Sequence, residues 1–400
     1  MNFPRILKKR KGYIDRIKPF MQKSVVKVLT GQRRVGKSFL LYQLIEEILA
    51  KEPDANIIYV NLEDFTFSSL QTAEDLHSYI ISHSKEKAKN YIFIDEIQDI
   101  PGFEKVIRSL LLNEDNDIYI TGSNAKMLSG ELATYLSGRY IEFKIYSLSY
   151  SEFLEFHGLT ESETSYELYS RYGGLPYLLN LPLGDETVNE YLKSVYSTIV
   201  FRDVVSRYKL RNTLFLEKLI QFLSENIGNL FSAKNISDYL KSQHTTISVN
   251  QIQSYTEYLN NAFLIHRVER YDLIGKRVFE IGEKYYFENM GIRNIVIGYR
   301  ITDKAKILEN LVYNHLLYKG YDIKVGYYGD KEIDFIGEKN GEKLYIQVAL
   351  KIDGDTAERE FGNLLKIQDN YPKIVLTEDT FSGNSYEGIR HCPIRQFLME

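Results

Sequence analysis

The 400-residue sequence predicts an α/β fold in which short strands alternate with helices, followed by smaller modules. Three observations carry that expectation. Over the first 150 residues, β-branched apolar runs alternate with stretches of helical apolar spacing. A glycine loop, GQRRVGKS at 31–38, lies between the first such run and the first helix. A later apolar run, YIFIDEIQDI at 91–100, ends in two adjacent acids.

The elements follow in order. SVVKVLT (24–30) reads as a buried strand, and SFLLYQLIEEIL (38–49) as the helix that follows it. The loop between them has the phosphate-binding pattern. Gly31 and Gly36 let the backbone turn, so that the N–H groups of Gln32, Arg33, Arg34 and Val35 face an anion. Lys37 is placed for the β- and γ-phosphates of a nucleotide, Ser38 for a magnesium ion, and Phe39 continues the helix whose N-terminus favours phosphate. NIIYVNLED (56–64) reads as a second strand and 91–100 as a third. At its tip Asp95 is the candidate magnesium ligand and Glu96 the candidate general base. DIYITGSN (117–124) reads as a fourth strand, whose end brings Asn124 or Ser123 toward the γ-phosphate, Asn124 being favoured. LSGRYIEFKIYSLSYSEF (136–153) places Arg139 in a turn before a further strand. Arg139 is either a charge stabiliser, in cis or from a neighbouring subunit, or a surface ion-pair partner.

RYGGLPYLL (171–179) reads as a sharp turn between helices, and 191–210 as one long amphipathic helix bearing Arg202, Asp203 and Arg207. Stretches 213–228, 232–243 and 248–265 read as three helices, and 266–289 as two strands with a turn near Gly275. That order is the winged helix-turn-helix pattern. Its third helix offers Asn250, Gln251, Gln253 and Ser254 but no early Arg or Lys, while the hairpin carries Arg267, Arg270, Lys276 and Arg277. DNA binding and protein docking both stay open. The last module reads as a helix at 306–320 and strands at 321–328, 332–339 and 342–350.

Composition sets limits. The chain carries −4 net charge, yet residues 1–38 hold twelve Lys or Arg against one Asp, leaving −15 for the rest. The basic run KKRK (8–11), with Arg5, Arg16 and Lys18, is either a polyanion contact or a solvated helix face. The single cysteine, Cys392, cannot form an internal disulfide, so a reducing cytoplasm is expected. No apolar run reaches membrane-spanning length.

GQRRVGKS, IFIDEIQDI, YITGSN and LSGRYIEF together resemble the bacterial and archaeal AAA-type P-loop ATPases that carry a C-terminal domain of unknown function. The resemblance implies an additional-strand, catalytic-glutamate core and ATP with Mg2+ as its ligands. It also implies a helical lid around the Gly-Gly-x-Pro segment. The expected division is an ATPase core over 1–150, a lid over 151–210, a winged helix over 211–300 and a last domain over 301–400. The order of elements after residue 301 resembles the restriction-endonuclease-like core. In active members an acid on one strand and an acid-x-Lys on the next bind metal. Here Glu309 and Asp334 fit acidic positions, Gln347 stands where an acid is usual, and Ala349 stands at the lysine position, with Lys351 two residues on. A degenerate, nuclease-shaped domain used for binding or regulation is therefore expected over a metal-dependent nuclease acting on DNA. Three functions follow: an ATPase that switches its attached modules, an ATP-regulated nuclease, or a slow-hydrolysing scaffold with a protein partner. An oligomer is compatible with each.

Overall fold

A computed structural model describes residues 8–125, 133–136, 138–242, 247–275, 282–329, 331–352, 354–378 and 385–400. Arg5, Lys276 and Arg277 lie outside the described residues. The chain forms two compact units, 1–146 with 261–263, and 147–260 with 264–400.

The first unit contains α1 (Lys11–Ile17), β1 (Val26–Thr30), α2 (Lys37–Lys51), β2 (Asn56–Asn61) and α3 (Ala73–His83). It continues through β3 (Asn90–Asp95), α4 (Phe103–Leu110), β4 (Asn116–Gly122), α5 (Ala133–Leu136) and β5 (Tyr140–Lys144). The five strands are parallel in the order β2-β3-β4-β1-β5. β4 is thus inserted between the strand that leads into the glycine loop and the strand that ends at Asp95, as expected for an additional-strand core. The central strands are buried throughout, which explains why they read as continuous apolar runs rather than as alternation. Val28, Ile58, Ile92, Ile94, Ile118 and Ile120 join α3 and α4 in one core. α3 starts with a capping box, Thr72 Oγ1 accepting from Asp75 N at 3.1 Å while Asp75 accepts from Thr72 N at 3.0 Å.

One charged pair is sealed inside this sheet. Lys27 on β1 pairs with Asp117 on β4, both side chains fully buried. The Lys27 ammonium also donates to Val25 O (2.9 Å) and lies 4.5 Å from the Tyr119 ring centre. Asp117 accepts in addition from Gln22 N (2.8 Å) and Tyr119 OH (2.7 Å). Every ion is hydrogen-bonded, the condition for tolerating charge in a core.

The second unit opens with α6 (Tyr150–His157), α7 (Glu163–Tyr172), α8 (Asp185–Thr198), α9 (Thr213–Glu225), α10 (Ala233–Ser242) and α11 (Val249–Asn261). Then come β6 (Ile265–Asp272), β7 (Glu283–Phe287), α12 (Met290–Ile297), α13 (Lys304–Tyr318), β8 (Asp322–Tyr328), β9 (Lys331–Lys339) and β10 (Glu342–Ala349). α14 (Gly354–Leu365), β11 (Lys373–Thr377), β12 (Ser385–Tyr386), β13 (Ile389–Pro393) and α15 (Ile394–Phe397) complete it. The expected long helix at 191–210 is not uniform: α8 passes into a π-helical stretch, Ile199–Ser206, in which Asp203 is buried and lies 3.9 Å from Arg207. Gly174 and Gly291 mark close backbone approaches, since an added Cβ would stand 2.3 Å from Leu148 O and 2.0 Å from Tyr172 O respectively.

Three helices and a hairpin occur in the expected order, α9, α10, α11, β6 and β7. The hairpin departs from a free wing, because β6 pairs antiparallel with β7 on one side and parallel with β8 on the other. It is the end of an eight-stranded mixed sheet of order β12-β13-β11-β10-β9-β8-β6-β7. The register joins residues 265–287 to those after 301 through main-chain hydrogen bonds, which no local periodicity reports.

Candidate functional site

Parallel strands carry their C-terminal ends to one edge, and the candidate nucleotide site is built there. β1 ends at Thr30 and delivers the glycine loop. Gly31 has φ +152°, and a Cβ on it would lie 2.1 Å from Ile145 O, so glycine is required both by conformation and by space. Gly36, at φ +97°, stands at the N-terminus of α2. Arg34 also takes a left-handed φ of +72° and its side chain is exposed. The Val35 carbonyl is held from behind by the buried Arg10, whose Nη1 reaches Val35 O (3.2 Å) and Tyr146 O (2.8 Å). Gln32 donates to Phe263 O at 2.8 Å, within the same unit.

Four site residues predicted from sequence converge. The buried Lys37 ammonium donates to Gly31 O (3.0 Å) and Gln32 O (3.1 Å) and lies 3.5 Å from Glu96 Oε1. Ser38 hydrogen-bonds the Asp95 carboxylate. Phe39, by contrast, is half exposed at 46%. Glu96 follows β3 in a left-handed conformation, φ +56° and ψ +46°, uncommon for a residue with a Cβ. Thr121 on β4 joins the two acids: its Oγ1 donates to Asp95 Oδ1 (2.5 Å) and accepts from Glu96 N (2.9 Å). Gln98 Nε2 donates to Glu96 Oε2 at 2.6 Å, and Ser123 hydrogen-bonds the same carboxylate.

The two acids are driven in opposite directions. Burial pushes Asp95 above the usual carboxylate range, and the neighbouring Glu96 charge adds to this, against the Ser38 and Thr121 hydrogen bonds and the Lys37 charge. Burial acts the same way on Glu96. There the Lys37 and Arg33 charges and the Gln98 and Ser123 hydrogen bonds outweigh it, and the group is pushed down to about 2. Arg33 is itself buried and pairs with Glu63 at 2.8 Å. Ser38 and Asp95 are hard oxygen donors side by side, a set that fits Mg2+ shared with nucleotide phosphates.

Other expected residues are placed as follows. Asn124 is buried, and its neighbour Ser123 hydrogen-bonds Glu96. Arg139 precedes β5, where Tyr140 pairs with Val26 at the start of β1, so it lies at the edge opposite the glycine loop. At about 3.3 Å per residue the strand puts about 16 Å between them. The Arg139 backbone thus lies far from the loop of its own chain. Part of the basic N-terminal run is used internally: Lys9 and Lys18 both pair with Glu47, at 3.4 and 3.1 Å, and Arg10 is buried, while Lys8, Lys11 and Arg16 are exposed.

Sequence reasoning missed Thr121, Gln98, Ser123's contact and Arg10. Thr121 lay inside the strand YITGSN with no motif of its own. Gln98 was visible as the fourth residue of Asp-Glu-Ile-Gln, and a polar side chain two residues past the base was the available signal.

In the second unit Glu309 and Asp334 do converge, but on a lysine. The buried Lys284 ammonium of β7 lies 2.6 Å from Glu332 Oε1, 2.9 Å from Glu309 Oε1 and 3.9 Å from Asp334 Oδ1. Tyr286 OH donates to Glu309 Oε1 (2.6 Å), and Asp334 Oδ2 accepts from Val348 N (2.8 Å). Burial and the Glu309 charge push Asp334 well above the usual carboxylate range against Lys284. Burial would lower Lys284, but the three acids outweigh it and hold the ammonium charged. The Gln347 Oε1 is buried with no hydrogen-bond partner among the described residues. A protein cation thus lies among the acids of the expected second metal set of Glu309, Asp334 and Gln347. Among the described residues no three His, Cys, Asp or Glu form a group suited to a metal. Nor is any helix among them long and apolar enough to cross a membrane.

Residues 23–154 match a family described as an AAA domain, and residues 163–303 match a domain of unknown function. An uncharacterised protein of Haemophilus influenzae is 38% identical over 403 residues, covering 98% of each chain. An uncharacterised protein of Methanocaldococcus jannaschii, MJ1544, is 31% identical over 352 residues, covering 84% of this chain and 77% of its own. Among solved structures, the Aeropyrum pernix ORC1 protein in complex with DNA aligns at TM-score 0.36 and 12% identity, over 73% of this chain and 93% of that one. The replication initiator DnaA bound to AMPPCP and single-stranded DNA aligns at 0.33 and 15%, over 64% and 90%. Likenesses this weak carry no argument. The full-length relatives and the matched N-terminal domain do: the chain belongs to a family of bacterial and archaeal P-loop proteins with an AAA domain.

Proposed function

We propose that the protein binds and hydrolyses ATP with Mg2+ and that the nucleotide state switches its attached modules. The observation that carries this reading is the convergence of Lys37, Ser38, Asp95 and Glu96 at one edge of a parallel sheet. The loop N–H groups and the α2 N-terminus bind the β- and γ-phosphates. Lys37 leaves the loop carbonyls and Glu96 for those phosphates. Ser38 and Asp95 would hold Mg2+, which when bound offsets phosphate charge. Glu96, released from Lys37 but still held by Gln98 and Ser123, orients the attacking water and accepts its proton on the carboxylate. Phosphate release from ATP should be measurable in the wild type and lost in Lys37→Ala; no release from the wild type under any Mg2+ concentration defeats the reading.

For the attached modules, protein docking is the better-supported reading. A winged-helix reading of α9 through β7 rests on element order, but the exposed face of α11 carries Asn250, Gln251, Gln253 and Glu257 and no cation. Arg267 is taken up by Glu283 (3.4 Å) and Glu269 (3.8 Å), and Arg270 lies over the Tyr327 ring. The Lys284 cluster supports a binding or regulatory last module over a metal-dependent nuclease. We place the protein in the cytoplasm on the strength of its single, buried cysteine.

A further inference from the structure

We propose that Thr121 is a positioning residue for hydrolysis: one hydroxyl fixes both the acid that would hold Mg2+ and the backbone of the general base. The proposal rests on the nucleotide-site reading above and goes beyond its motif residues.

Thr121 has no solvent exposure and lies beside the end of β3. Its hydroxyl has one proton, given to Asp95 Oδ1, and a lone pair that accepts the Glu96 N–H. The first bond sets the carboxylate rotamer of Asp95. With Ser38 it supplies the side-chain hydrogen bonds that oppose the burial of that charge. The second bond fixes the peptide leading into Glu96, whose left-handed φ of +56° aims the base. An adopted left-handed conformation at a residue with a Cβ needs its surroundings to hold it. Here the neighbouring strand does so through a side chain. Because one atom serves both acids, losing it should disturb metal use and proton abstraction together. Phosphate contacts by the loop and Lys37 do not involve Thr121 and should persist.

The full-length wild type, Thr121→Val, Thr121→Ala and Thr121→Ser are compared by ATP turnover against Mg2+ concentration. Binding of a fluorescent ATP analogue in EDTA and the thermal midpoint are measured alongside. Valine keeps the volume and removes the hydroxyl, while serine keeps the hydroxyl. Both the valine and alanine variants should lose about 100-fold in kcat, the scale of a misplaced reacting group. They should also need more Mg2+ for half-maximal activity, with unchanged nucleotide affinity in EDTA. Serine should restore turnover and Mg2+ dependence. Testing alanine beside valine removes dependence on either variant folding. Wild-type kcat and Mg2+ dependence in the hydroxyl-free variants overturn the proposal, and so does a serine variant as impaired as the valine one. Those outcomes leave nucleotide hydrolysis standing. A wild type that neither binds nor turns over ATP overturns the site reading, and this role with it.

Discussion

Replacing Lys284 by methionine removes the cation that lies among Glu309, Glu332 and Asp334 and keeps most of the side-chain volume. Lys284 is 2% exposed, Asp334 10%, Glu309 18% and Glu332 33%, so the carboxylates are left with unequal access to water. Breaking a buried ion pair on one side costs about 3–5 kcal/mol. Glu332 can rehydrate, and burial already pushes the Asp334 carboxyl up, which places the expected loss near the lower end of that range. For a unit of this size each kcal/mol lowers the midpoint by about 2–4 °C, giving a drop of about 6–12 °C at pH 7.5. The sign of the pH dependence follows from the acids. Asp334 is already held above the usual carboxylate range, and losing the opposing Lys284 charge raises it further, so the penalty is smallest in acid and grows as pH rises. Scanning calorimetry at pH 5 and pH 8 should show the wild-type and variant midpoints closer at pH 5. Adding Asp334→Asn to Lys284→Met should recover part of the loss. Equal midpoints at pH 8, or a penalty that grows on acidification, would refute the reasoning.

Two further variants test the first unit. Gly31→Ala places a methyl 2.1 Å from Ile145 O at φ +152°, so the loop must shift and nucleotide binding should be lost, read by titration with a fluorescent ATP analogue. Glu96, pushed down to about 2, adds stability that is complete above the ordinary glutamate range and is lost as pH falls from about 4 toward its folded value. Gln98→Met removes one of the hydrogen bonds that hold it down, so acid unfolding followed by circular dichroism should begin at higher pH than in the wild type.

The elements legible in the sequence were those fixed by local pattern. The glycine loop and the strand at 116–122 lie within a residue or two of their expected places, and the third strand starts within one but stops at Asp95, five residues short of the run read as strand. Pairings between distant strands were not legible in local pattern; the additional-strand order was available only through the family resemblance. Thr121 reaches Asp95 and Lys27 reaches Asp117 only because β4 is inserted beside both β1 and β3. Lys284 enters the acid cluster because β6 pairs with β8, which places a residue expected in a hairpin beside one expected in another domain. The place of Arg139 was not legible for a related reason: its turn signal was correct, but a parallel β5 starts at the far edge of the sheet, and strand direction is not written in the turn.

The most direct test is ATP turnover by Glu96→Gln compared with the wild type, with nucleotide affinity measured on the same samples. The account predicts that the variant binds ATP with Mg2+ as tightly as the wild type and loses at least about 100-fold in kcat, the scale expected for a missing general base. A variant that hydrolyses ATP at the wild-type rate, or a wild type that binds none, contradicts it.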